Sequence, residues 1–221
     1  IGFGNLVLVN LIALATHERK INKEKLDAQR LSERLKLDLL KKNIQPHFIH
    51  NSLTSAIDWI ERSPEKGVEF LFALSEEFDL LLEISEKKLI PIIKEIDLCR
   101  IHLQVMTFRR EKIYNLDVKD INEYDIIPPA IFLTVIENGI SHQRSEGNVI
   151  TFNLSSRLDK THIEYCIHVD GEVANANHAV EGTGTRYIKA RLRESYGENW
   201  SFYSGEVIDG WKTTITIPRI S

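Results

Sequence analysis

The sequence predicts an α+β protein in which an all-helical segment precedes a domain of mixed strands and helices. Residues 17–61 contain no glycine and a single proline, and their apolar residues recur at the three- and four-residue steps of an amphipathic helix. Beyond residue 110, five segments alternate in polarity or are rich in β-branched and aromatic residues, which is typical of strands. These predicted strands cover residues 113–118, 148–155, 162–169, 200–203 and 211–217, with predicted helices at 129–142 and 186–195.

The first sixteen residues are expected to be the end of a transmembrane helix. The run IGFGNLVLVNLIALAT carries no charge and approaches the ~20 apolar residues that a bilayer span needs. It has neither the initiator methionine nor the basic leader of a signal peptide. Four basic residues follow within positions 19–25, and such residues favour the cytoplasmic side. We therefore expect residues 1–16 to lie in the inner (cytoplasmic) membrane and the rest mostly on its cytoplasmic side; a buried helix of a soluble protein is the alternative.

Residues 17–88 are expected to form a helical hairpin that dimerises. The first helix has an apolar stripe of partial heptad character, formed by Ile21, Ala28, Leu31 and Leu35. Ser63 and Pro64 suit the start of a second helix, because serine caps helices and proline fits the first turn. This helix runs to about residue 85, with the apolar stripe Val68, Leu71, Leu74, Phe78 and Leu82. Two hairpins form a four-helix bundle, so a homodimer is expected; a helix packed only on its own domain is the alternative.

Charge and cysteine content narrow the possible functions. The chain has 28 basic and 32 acidic residues and a formal net charge of -4, without the clustered basic excess of a nucleic-acid surface. Cys99 and Cys166 lie far apart and lack a metal-type spacing. We therefore expect no nucleic-acid partner and two reduced thiols.

His47 is the leading candidate for a chemically active side chain. His47, Asn51, Thr54 and Asp58 lie four, three and four residues apart, so they share one helix face. Pro46 removes one backbone hydrogen bond from a continuous helix and bends it, which would present the imidazole to solvent. An imidazole with an unperturbed pKa of ~6.5 is largely neutral at pH 7, so that a ring nitrogen can act as a nucleophile. A lone histidine on a helix is usually structural, so this pattern leaves both interpretations open.

Four sequence blocks follow one another in a characteristic order between residues 37 and 192. They are Gln45-Pro46-His47-Phe48, Ile90-Pro91 with Glu95, Ile127-Pro128-Pro129 with Glu137-Asn138-Gly139, and Gly182-Thr183-Gly184. Together they resemble the phosphoacceptor segment, linker helix, N box and glycine box of LytS-type sensor histidine kinases, in particular the branch attached to a seven-helix membrane sensor. The resemblance implies a helical dimerisation and phosphoacceptor domain, residues 17–88, followed by a GHKL-type α/β sandwich that binds ATP, residues 89–221.

The resemblance also implies the reaction and the residues that perform it. The chain would autophosphorylate His47 from Mg-ATP and pass the phosphoryl group to an aspartate of a response regulator. Asn51 and Glu137 would be further catalytic residues. Asn138 matches the Mg²⁺ ligand of the family, and Mg²⁺ prefers oxygen ligands.

The remaining matched residues are implied to bind ATP. Asp170 and Gly171 match the place where the family reads the adenine amino group, although the usual Asp-x-Gly-x-Gly box is shortened here. Backbone N–H groups of a glycine loop at a helix start suit phosphates. The rest of the implied ATP-binding set is His142, Gly182, Thr183, Gly184 and Arg109.

Two alternative functions stay open at this point. ATPases of the same predicted fold hydrolyse ATP with a glutamate one helical turn before the metal-binding asparagine. Here that position is Thr134, which cannot act as a base, and Glu137 lies about 100° around the helix from Asn138. A phosphoryl transfer to an internal nucleophile therefore fits better than hydrolysis, with a non-catalytic signalling dimer as the second alternative.

Overall fold

The computed structural model describes residues 16–20, 23, 46–142, 147–171 and 182–219, without the side chains of Pro46, His47, Ile49 and His142. Residues 1–38 and 39–221 form two compact units. In the first unit, residues 16–20 and 23 are helical and exposed. All of the predicted membrane segment 1–16 except Thr16, and most of the predicted helix before Pro46, lie outside the described residues. Within the described ranges, no helix is both long and apolar enough to cross a membrane.

The second unit begins with a helical hairpin. Helix α1 spans Pro46–Arg62 and helix α2 spans Pro64–Ser85, as the break at Ser63-Pro64 predicts. Ser63 occupies the N-cap position in an extended conformation, without a side-chain capping bond. Gly67 lets the two helices cross closely, because a Cβ atom there would lie 2.4 Å from Ile60 Cγ1 and 2.9 Å from Ile60 Cα.

Helix α3, Ile92–Arg110, joins this hairpin to the rest of the unit. A small apolar cluster connects the hairpin to the C-terminal half of α3. In it, Phe70 stacks on Phe108 with ring centroids 5.2 Å apart, and Trp59 meets Phe108 edge to face at 5.8 Å. The indole N–H of Trp59 also donates to the Phe108 carbonyl at 2.9 Å. The hairpin therefore packs on α3 as part of the same unit.

Seven strands make up the other layer and a small separate pair. The strands are β1 Ile90–Pro91, β2 Ile113–Lys119, β3 Ile126–Ile127, β4 Val149–Leu158, β5 His162–Asp170, β6 Ser201–Val207 and β7 Gly210–Pro218. Five of them form a mixed sheet in the order β2-β4-β5-β7-β6, in which the β2–β4 pair is parallel and the remaining pairs are antiparallel. A separate two-stranded antiparallel pair joins β1 to β3; the sequence did not predict these two short strands.

Helices α4, Ile131–His142, and α5, Thr183–Tyr196, pack with α3 on one face of the sheet. Strand β5 shows this sidedness: Ile163, Tyr165, Ile167 and Val169 are buried, and the residues between them are not. Phe132 of α4 meets Tyr165 with ring centroids 5.4 Å apart. The α+β fold class and the predicted strands and helices after residue 88 are therefore confirmed.

Candidate functional site

Asn138 of α4 and Gly184 of α5, which come from two different sequence blocks, are in direct contact. Asn138 is half-buried and Gly184 is buried. A Cβ atom on Gly184 would lie 2.9 Å from Asn138 Oδ1, 3.0 Å from Asn138 Nδ2 and 3.1 Å from Thr134 Cγ2. A side chain at position 184 would therefore displace the Asn138 amide, and the structure brings the predicted metal ligand and the predicted glycine box together.

The first residues of α5 are open to solvent beside this contact. Gly182 is the N-cap residue, and its carbonyl accepts from the Arg186 N–H at 3.1 Å. Gly182 and Thr183 are exposed, and a Cβ atom on Gly182 would meet nothing within 4 Å. The N–H groups at a helix start carry partial positive charge and favour anionic groups. The implied phosphate contacts of Gly182 and Thr183 remain a prediction.

The first turn of α4 is held by a carboxylate from another helix. Glu95 of α3 is fully buried, and its Oε2 accepts from the Ala130 N–H at 2.7 Å. Its Oε1 accepts from the N–H groups of Phe132 at 2.7 Å and Leu133 at 3.2 Å. Burial raises the pKa of Glu95 to about 7, although these three donors and Arg191 act in the opposite direction. The sequence placed Glu95 in the linker-helix block but gave it no role.

Thr134 and Glu137 occupy distinct environments on α4. Thr134 is buried, and its hydroxyl donates to the Ala130 carbonyl at 2.7 Å, so the position one turn before Asn138 carries no carboxylate. Glu137 lies close enough to α3 to act on His102. Burial lowers the pKa of His102, but Glu77 and then Glu137 outweigh this effect and raise it. Glu137, which is half-buried, therefore acts on the charge of the buried His102.

Glu77 and His102 themselves form a buried pair between α2 and α3. His102 Nδ1 lies 2.6 Å from Glu77 Oε1, with side chains that are 4% and 3% exposed. The second oxygen of Glu77 has no hydrogen-bond partner among the described residues. Sequence reasoning missed this pair, because neither residue belongs to a recognisable pattern.

Asp170 lies on a different face of the sheet from the Asn138–Gly184 contact. It ends β5 with a side chain that is 69% exposed, and its Oδ1 lies 3.3 Å from His168 Nδ1. His168 Nε2 lies 3.4 Å from Asp209 Oδ1. Since His168 and Asp170 alternate with the buried Val169, both face away from the helices. The adenine-reading role of Asp170 remains a prediction.

Gly171 follows Asp170 in a conformation that requires glycine. Its φ angle is 125°, which lies in the region that side chains disfavour. Its N–H donates to the Asp209 carbonyl at 3.2 Å. Gly171 therefore ends β5 in a tight turn beside the β6–β7 connection.

The predicted phosphoacceptor segment lies at the start of α1, where His47 is the second residue of the helix. Its neighbour Phe48 meets Phe78 edge to face, with ring centroids 6.2 Å apart. The guanidinium carbon of Arg109 lies 4.6 Å from the Phe48 ring centroid, a typical cation–π contact. Burial, and then Arg110, lower the pKa of Arg109. The structure thus brings the predicted phosphate-binding Arg109 next to the segment that carries His47, where Asn51 is half-buried.

This arrangement coincides with a match to a known family. The family model described as histidine kinase matches residues 35–114, which include the phosphoacceptor segment, the hairpin and all of α3. The match covers 80 of the 221 residues, and this part of the chain is similar to histidine kinases, with curated relatives of the LytS type.

The relatives that match are sensor kinases of this type. The sensor histidine kinase/phosphatase LytS of Staphylococcus aureus, strains Mu50 and N315, is 24% identical over 177 residues. The match covers 72% of this chain and 30% of the relative, so the chain spans less than a third of the length of the curated relatives it matches. A solved histidine kinase domain, from a blue-light activated kinase of Erythrobacter litoralis, has 13% identity and a TM-score of 0.48, covering 87% of this chain and 94% of that chain.

Proposed function

We propose that this chain is the kinase part of a sensor histidine kinase that phosphorylates its own His47 from Mg-ATP. The phosphoryl group then passes to an aspartate of a response regulator. The observation that carries this proposal is the contact between Asn138 and Gly184, within a chain whose residues 35–114 match the histidine kinase family. That contact places an amide oxygen, which is a common ligand of metal ions, beside a glycine in the first turn of a helix.

The residues around this contact fit a magnesium-bound nucleotide. Asn138 offers an amide oxygen, which suits Mg²⁺, and Gly184 leaves the space beside it free of a side chain. The open start of α5 at Gly182 and Thr183 suits the phosphates. When bound, Mg²⁺ supplies positive charge that neutralises the phosphate oxygens during transfer.

The acceptor of the phosphoryl group is a side chain in this proposal. Thr134 carries no base at the position where an ATPase would need one, and its hydroxyl is bonded to the Ala130 carbonyl. On α1, a ring nitrogen of His47 would act as the nucleophile. Arg109, packed on Phe48, supplies a cation beside this segment, where negative charge arrives.

The exposed apolar surface of the hairpin supports a homodimer. Phe72 is 72% exposed, Ile57 60% and Leu82 55%, and a second copy of the hairpin would cover such a surface in a four-helix bundle. We expect Phe72→Asp to shift the chain from dimer to monomer in sedimentation experiments. An unchanged dimer would contradict this part of the proposal. Attachment to the membrane through residues 1–16, with the kinase part on the cytoplasmic side, belongs to the same proposal.

The central experiment incubates the 221-residue chain with radiolabelled ATP and Mg²⁺. We expect acid-labile labelling that is lost in His47→Gln. His50→Gln is the matched control, because His50 is an exposed histidine of the same helix and should leave the labelling intact. Steady release of phosphate without labelling would instead favour an ATPase, and the absence of nucleotide binding would favour a non-catalytic signalling dimer.

A further inference from the structure

Helix α4 begins at a point where its own sequence supplies no side-chain cap. The first N–H groups of a helix lack partners within the helix, and serine, threonine, aspartate or asparagine usually caps them. Here Pro128, Pro129 and Ala130 precede the helix. The carboxylate of Glu95, which lies 35 residues before Ala130 in the chain, accepts three of the N–H groups instead. The start of α4 therefore depends on α3.

The backbone at this start is also held in an unusual conformation. Ala130 has a φ angle of 58°, which is left-handed and costs a residue with a side chain about 1–2 kcal/mol. Its N–H donates to Glu95, and its carbonyl accepts from the Thr134 hydroxyl at 2.7 Å. Tyr187 of α5 donates to the Pro129 carbonyl at 3.1 Å. These contacts fix where α4 begins.

Helix α4 extends from this first turn to Asn138, at the proposed nucleotide site. Ala130, Thr134 and Asn138 are spaced four residues apart and lie along one side of α4. Thr134 and Asn138 both face Gly184. Glu95's contacts at Ala130, Phe132 and Leu133 lie five to eight residues before Asn138, which is roughly 8–12 Å along the helix. A shift of the first turn therefore moves the Asn138 amide relative to Gly184, at a position where a side chain would not fit beside it.

We infer that Glu95 is a positioning residue for nucleotide binding: by holding the first turn of α4, its carboxylate sets the Asn138 amide against Gly184. The inference rests on the proposed function, because it assigns Glu95 a role at that same site. It goes beyond a role in folding alone, since Glu95 would determine the affinity for Mg-ATP. Glu95 acts through α4 and need not touch the nucleotide.

Protonation of Glu95 offers a way to separate positioning from folding. The charged and titratable groups that act on it are Arg191 and Tyr187 of α5 and Cys99 of its own helix; on α4 it meets backbone N–H groups. Its folded pKa of about 7 lies above the unfolded value of 4.5. Its contribution to stability is thus fully present below pH 4.5 and is lost as pH rises to 7. The ionised carboxylate is nevertheless the stronger acceptor. Rising pH should therefore lower stability while it raises nucleotide affinity.

The test measures binding of trinitrophenyl-ATP with Mg²⁺ to the full chain at pH 6 and pH 8, beside thermal unfolding. Glu95→Gln replaces one acceptor oxygen with a donor that opposes a backbone N–H. At pH 8 we expect it to weaken binding about tenfold, which corresponds to 1.4 kcal/mol, and at pH 6 less than about threefold. Because wild type and variant are compared at the same pH, the titration of the nucleotide affects both affinities equally. Asp97→Asn is the matched control, because it removes a carboxylate from α3 that pairs with Arg100 on the surface.

The outcomes separate this inference from the function on which it rests. Loss of affinity at pH 8 in Glu95→Gln, with wild-type affinity in Asp97→Asn, supports positioning. Equal affinity of wild type and Glu95→Gln at pH 8 overturns positioning while the proposed function stands. Absence of binding by wild type overturns both. Should Glu95→Gln fail to fold, Glu95→Asp replaces it, because it keeps the charge but shortens the reach to the three N–H groups: weakened binding at pH 8 in a folded Glu95→Asp variant supports positioning, and wild-type affinity overturns it.

Discussion

The replacement of Gly184 by alanine adds one methyl group where the Asn138 amide already lies. The new Cβ would be 2.9 Å from Oδ1 and 3.0 Å from Nδ2 of Asn138, whereas comfortable contacts begin at about 3.5 Å. The amide must therefore move by roughly 0.5 Å or rotate away. Overpacking costs about 1–3 kcal/mol, and alanine in a helix regains about 0.5–1 kcal/mol. The expected loss of stability is thus small, at about 0–2.5 kcal/mol.

The expected loss of function appears even in a variant that stays folded. If Asn138 binds Mg²⁺, displacement of its oxygen by roughly 0.5 Å should reduce Mg-ATP binding and labelling of His47 by about 10- to 10²-fold, since misplacement by about 1 Å costs about 10²-fold at other sites. The assay titrates trinitrophenyl-ATP in the presence and absence of Mg²⁺ and follows labelling with radioactive ATP. Thermal unfolding of each variant confirms that it is folded.

Gly182→Ala provides the matched comparison for this experiment. It adds the same methyl group two residues earlier, where a Cβ meets nothing within 4 Å and where the backbone N–H is preserved. We expect its loss of Mg-ATP affinity to be at least tenfold smaller than that of Gly184→Ala. Wild-type Mg-ATP affinity in a folded Gly184→Ala variant would refute the reasoning, and so would equal losses in the two variants.

Two further predictions concern the helical hairpin. Burial lowers the pKa of His102, but Glu77 outweighs this effect and raises the pKa above its usual value. The stabilisation that His102 gains from Glu77 is therefore fully present below pH ~6.5 and is lost as pH rises through the raised folded pKa. Urea unfolding should therefore show a smaller loss of stability from pH 6 to pH 8 in Glu77→Gln than in wild type; equal losses would contradict this. Gly67→Ala should destabilise the chain by about 1–3 kcal/mol, because the backbone of Ile60 cannot rotate aside; an unchanged melting temperature would contradict the close crossing.

Much of the fold follows from local patterns in the sequence. Strand β5 alternates strictly between buried and open positions, so its period of two is visible without any knowledge of its partners. The break at Ser63-Pro64 likewise separates α1 from α2 where local rules put it. The short β1–β3 pair escaped prediction, because two-residue strands at Ile90 and Ile126 are too short to show a period.

The parts of the site that local patterns cannot give are contacts between distant segments. The pattern around Gly184 predicts a flexible helix start, yet the glycine is required by the Asn138 amide 46 positions earlier in the chain. Glu95 is an ordinary helix residue by sequence, and its three backbone partners appear only in three dimensions. The orientation of Asp170, in contrast, follows from a local pattern, because its alternation with the buried Val169 already indicates an outward side chain.

One face of helix α3 carries three of the contacts described above. Glu95, His102 and Arg109 are seven residues apart, so they lie within about 40° of one another around the helix and span about 21 Å along it. Glu95 holds the first turn of α4, His102 pairs with Glu77 of α2, and Arg109 covers Phe48 beside the phosphoacceptor. Any rotation of α3 about its axis would move the three contacts together. The position of Asn138 and the position of the His47 segment are therefore both set by α3.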